Sequence, residues 1–138
     1  MRDQLRDRCG KIEECYEFML AYAAQGLRDE PGGGSGSQIR TLLIQCDEAL
    51  SGLGDVFTQI VRSDKLKPTE KYDAFIAMLN RDASDARAAV GLVLAQPSIS
   101  SQLIDNLNAS IHLRALLTDL FLIDEIVRPE TVGTTALP

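Results

Sequence analysis

Apolar residues recur at helical spacing in four stretches of this chain, separated by polar or glycine-rich breaks. In residues 2–27 the stripe is Leu5, Cys9, Ile12, Tyr16, Met19, Ala23 and Leu27. Its alternating short and long steps are the heptad-like spacing of helix-on-helix packing. In residues 39–62 it is Ile39, Leu43, Cys46, Leu50, Leu53, Phe57 and Ile60, interrupted by Gly52 and Gly54, which allow close approach or mark a bend. A third stripe runs to Ala95 through Tyr72, Ile76, Leu79, Ala83, Ala86, Val90 and Val93. The fourth stretch, 99–127, is apolar on most of its circumference. Advanced at about 100° per residue, Leu103, Ile104, Leu107 and Ile111 fall on one side. Leu113, Leu116, Leu117, Leu120 and Ile123 fall on another.

The breaks fit this reading. Pro31 stops the first helix, and the glycine- and serine-rich run that follows it is a flexible linker. Ser37 and Ser98 stand where N-caps of the second and fourth helices are expected, and Pro68 where the third begins. No strand pattern or internal repeat is visible. The sequence predicts an all-α protein, an antiparallel four-helix bundle. One domain spans 1–128, with the linker at 28–38 and a disordered tail at 129–138.

A helix with two apolar faces is either the central helix of its domain or carries an intermolecular interface. The second face (Leu113, Leu116, Leu117, Leu120 and Ile123) is therefore the candidate interface, with a two-fold homodimer as the expected partner arrangement. The first face is expected in the core, along with Ile12, Met19, Leu43, Leu50, Phe57, Ile76, Leu79 and Val90.

Composition narrows the function. The net charge is −6 with no Lys/Arg cluster, so neither nucleic acid nor an anionic membrane surface is an expected partner. No apolar run reaches the length of a membrane span, and the charged N-terminus lacks a signal-peptide core, so a cytoplasmic location is expected. The three cysteines are expected to be reduced, with Cys9 and Cys46 filling the core.

His112 is the single histidine. It shares a predicted polar face with Asp105, Asn108 and Asp119. An exposed histidine on a bundle helix is the geometry that phosphotransfer domains use, which makes His112 the candidate phosphoacceptor. Ala115 stands where such domains carry Lys, and Leu113 where sensor-kinase helices carry an acid, so the string does not match either pattern. No Glu-x-x-His pair supports a di-metal site, no haem-attachment motif exists, and one histidine with three scattered cysteines does not make a zinc site. No metal or cofactor is expected, and no enzymatic activity.

Glu13, Glu14 and Glu17 beside Tyr16 form an acidic patch suited to a basic partner. Arg114 and Glu125 lie within the first apolar face of the fourth helix, either setting the register of an interface or marking a boundary. The leading expectation is a non-enzymatic helical interaction protein, an adaptor, regulator or assembly chaperone working through helix–helix contacts. The alternatives are a histidine phosphotransfer module and a bundle that binds a small ligand beside the small residues 83–91.

Overall fold

The computed structural model describes residues 2–32 and 37–127. The expected tail and the centre of the glycine-rich run, 33–36, lie outside the described residues. Among the described residues six helices form where four were expected: α1 (Arg2–Ala24), α2 (Gln38–Leu50), α3 (Leu53–Ser63), α4 (Thr69–Leu94), α5 (Ser101–Ala109) and α6 (Ile111–Ile126). There is no strand among the described residues.

Two of the four expected helices are broken. The second breaks at Ser51, which is extended, and at Gly52, whose φ of 82° is left-handed and favours glycine. Arg8 of α1 closes the end of α2. Its Nη1 lies 3.1, 3.0 and 2.5 Å from the carbonyl oxygens of Glu48, Ala49 and Ser51. The fourth breaks at Ser110, which is extended and ends α5 as it begins α6. Its hydroxyl accepts from the Leu113 amide, a serine cap inside a run that reads as continuous helix. α1 ends earlier than Pro31 requires, because Gly26 turns left-handed at φ 66°. Ser37 caps α2 as expected, accepting from the Arg40 amide. Ser100, not Ser98, caps α5.

Polar clasps at the two ends show how the helices run. At one end Arg2 pairs with Asp64 just past α3, at 2.6 Å, and donates to the Val127 carbonyl just past α6, at 2.6 Å. At the other end the segment after α1, the start of α2, the end of α4 and the start of α5 meet around Glu30 and Arg40. α1 packs on α2, α3 and α5, and α4 packs on α2, α3, α5 and α6.

The core is close to the one expected. Ile12, Met19, Leu43, Leu50, Phe57, Leu79, Val90 and Leu107 are buried, Ile76 is half-buried, and Cys46 and Cys15 are both buried. Cys9 is only partly buried, correcting its assignment to the core. All three thiols are free. Ile111 is the clear miss, at 72% exposure. A wheel that places it in the core assumes one unbroken helix. The break at Ser110 resets the phase, and Ile111 becomes the outward-facing first residue of α6.

Candidate binding groove between α1 and α6

The face expected to be an interface lies inside the molecule. Leu113, Leu116, Leu117, Leu120 and Ile123 are all buried by the chain's own helices. The extra apolar face on the fourth stretch is therefore accounted for by a central position in the domain, and it is not free to meet a second copy. What α6 shows to solvent is a different set: Ile111, Phe121, Leu122 and Ile126.

His112 is exposed at the second position of α6. Its expected polar face does not form. Asp105 is exposed, whereas Asn108 and Asp119 are buried. The side-chain nitrogen and oxygen of Asn108 and one carboxyl oxygen of Asp119 have no hydrogen-bond partner among the described residues. The small residues Ala83 and Ala86 of α4, with Val90, are buried in the core. No group of three or more His, Cys, Asp or Glu side chains among the described residues could hold a metal ion.

Asp119 instead faces the carboxyl group of Asp82 on α4. Burial, followed by the neighbouring Asp82 carboxyl, pushes the Asp119 pKa up to about 7. The native pKa thus lies above the ordinary Asp value of about 3.9, and the folded state holds this proton more tightly than the unfolded chain does. The stabilisation is complete below pH ~4 and is lost as pH rises through ~7. Urea titrations should show wild type losing stability relative to Asp119→Asn across that window. Parallel stability–pH curves for the two proteins would show that no such proton is held.

The same break at Ser110 shapes the surface on the other side of α6. α1 packs closely on α5 but hardly on α6. A groove is left between α1 and α6. Its upper part, about 440 Å³, is lined by Glu13, Tyr16, Glu17, Arg114, Leu117, Thr118 and Phe121. A lower part of about 210 Å³ shares Glu13 with it and runs past Cys9, Gly10, Leu120 and Asp124 to Arg2 and Val127. Buried leucines form the floor, half-buried Tyr16 one wall, and Phe121, 62% exposed, the rim.

The groove is electronegative along its middle. At Cys9, burial first, then the charges of Glu13 and Asp124, push the thiol pKa up to about 12. Glu13, Glu14 and Glu17 form no salt bridge among the described residues. The cations lower in the groove are partly spoken for, with Arg2 on Asp64 and Arg6 on Asp3.

The acidic wall is legible in the sequence as the Glu13, Glu14, Glu17 and Tyr16 patch. The opposite wall is not. Arg114 reads as a register or boundary residue, and Phe121 stands out in no local pattern, because the rotation of α6 follows from Ser110. The only signal is a cap-forming serine two residues after Asn108, both residue types that compete with helical hydrogen bonds. No protein family, curated protein or solved structure matches the chain.

Proposed function

We propose that this protein is a non-enzymatic helical binding module that docks a helix from another protein in the α1/α6 groove. In this reading α2–α3 and α5–α6 are two broken members of an antiparallel four-helix bundle, and the second break opens the docking site. One observation carries the proposal: an elongated groove with an apolar floor and an exposed aromatic rim, formed where two helices that could pack together do not. Grooves of this kind take the apolar face of an amphipathic helix. An exposed phenylalanine beside a leucine floor is the sort of anchor around which binding energy concentrates.

A photo-crosslinking amino acid in place of Thr118, on the groove wall, tests this in cells expressing the full chain. It should give a discrete protein adduct that disappears when Tyr16→Lys is added, with the helical circular dichroism unchanged. The same group in place of exposed Leu92 on α4, outside the groove, should not give that adduct. Equal adducts from both positions, or adducts indifferent to Tyr16→Lys, would remove the groove from the account.

A further inference from the structure

We infer that the occupant of the α1/α6 groove is an amphipathic helix of a partner protein whose polar flanks are rich in Lys and Arg. This rests on the docking reading above and adds the chemistry of the partner.

Shape points to a helix rather than a compact ligand. The two parts of the groove share Glu13 in their linings and lie side by side along α1 from Arg2 to Glu17. At 1.5 Å per residue this is a path of about 22 Å, the length of a helix of about four turns. A compact organic molecule would fill the upper part alone.

Charge points to a basic partner. Glu13 and Glu17 line the upper groove and Asp124 the lower, and Glu14 adjoins them in sequence. A docked helix with Lys or Arg on the flanks of its apolar face would bring cations to these carboxylates. Those cations would also lie against the ring faces of Tyr16 and Phe121, which attract them. Arg114 stands at the far end of the upper groove and leaves room for one acid on the partner. A second copy of this chain fits the site poorly. It brings another net charge of −6 to an acidic wall, and like charges across an interface are unfavourable.

The test uses three synthetic peptides of about 15 residues sharing one Leu/Trp face. Their flanks are Lys/Arg, Gln or Glu. Each is titrated into the full-length chain and followed by fluorescence anisotropy. The basic peptide should bind, weaken as salt is raised, and lose about tenfold or more on the Glu13→Lys/Glu17→Lys double variant. Glu70→Lys/Asp85→Lys alters exposed residues of α4 by the same total charge and should change affinity by less than about threefold. Equal losses in both double variants would mean a general charge effect and would overturn the inference. If the Gln or Glu peptide binds as tightly as the basic one, and Tyr16→Lys abolishes that binding, the groove stands and its preference for cations falls. If none of the peptides binds, both fall.

Discussion

Leu116→Glu should unfold the chain, whereas Phe121→Glu, five residues further along the same helix, should leave it folded. Leu116 is fully buried, at 0% exposure. Truncating a buried leucine costs about 2–5 kcal/mol through lost transfer energy and the cavity left behind. The new carboxylate adds several kcal/mol, because a charge placed in a buried apolar site loses its hydration. Together these approach the whole stability of an ordinary domain, about 5–15 kcal/mol. Phe121 gives up little burial, and its replacement should cost less than about 1 kcal/mol. Circular dichroism and urea unfolding read both variants. A soluble Leu116→Glu monomer with wild-type helicity would mean that this face is an interface between molecules, the arrangement its apolar stripe first suggests.

The second large effect concerns the polar clasp at the far end from Arg2. The Glu30 side chain is 1% exposed and pairs with Arg40 at 2.8 Å. All three guanidinium nitrogens are used: Nε on Glu30, Nη1 on the Leu94 carbonyl at 2.8 Å, and Nη2 on the Gln96 carbonyl at 2.6 Å. Glu30 Oε1 accepts from the Ile99 amide at 3.1 Å, and the Glu30 amide donates to the Ser98 hydroxyl at 3.0 Å. Close by, the Tyr22 hydroxyl donates to the Ile99 carbonyl, and Ser101 bonds to the Tyr22 carbonyl and the Leu27 backbone. One ion pair thus fastens the segment after α1 to the start of α2, the end of α4 and the start of α5.

Arg40→Ala should therefore cost about 3–5 kcal/mol, because it leaves a carboxylate buried without its counter-charge and orphans two helix-terminal carbonyls. Arg40→Lys should recover little, since an ammonium cannot reproduce the fork. Glu30→Leu/Arg40→Met should recover part of the loss, because it removes the unpaired buried charge while the Leu94 and Gln96 carbonyls and the Ile99 amide still lose their partners. Burial raises the Glu30 pKa, but hydrogen bonds from Ser37, Arg40 and the Ile99 amide, with the Arg40 charge, outweigh it and hold it below the ordinary value. The stability from this pair is hence present above the usual carboxylate range and lost as pH falls through the depressed pKa. Arg40→Ala should lose less on acidification than wild type does. A single variant within about 1 kcal/mol of wild type at neutral pH would show that the pair does not hold the fold together.

Particular residues show why some of this is legible in the sequence and some is not. A stripe such as Ile39, Leu43, Cys46 and Leu50 depends only on local periodicity, so the helices and most core residues can be read directly. Glu30 precedes a proline and a run of glycines, and locally that reads as solvated coil. Its burial comes from Arg40 and from backbone groups nearly seventy positions away, which no local pattern encodes. The apolar faces of 99–127 are visible on a helical wheel, but the wheel carries one phase across Ser110. That single extended residue turns Ile111 outward, seats the leucine face in the core, and leaves Phe121 over a groove whose acidic wall the sequence does display.

The orientation of α6 is the claim on which the rest depends, and paired thiol reactivity measures it most directly. Leu120→Cys and Phe121→Cys are made separately in the full chain, and alkylation at each position is followed by peptide-resolved mass spectrometry. The thiol at 121 should react about as fast as in denaturant, and the thiol at 120 should be slowed by about a hundredfold or more, since it reacts only through opening of the fold. Comparable rates at the two positions, or faster reaction at 120, would contradict the account.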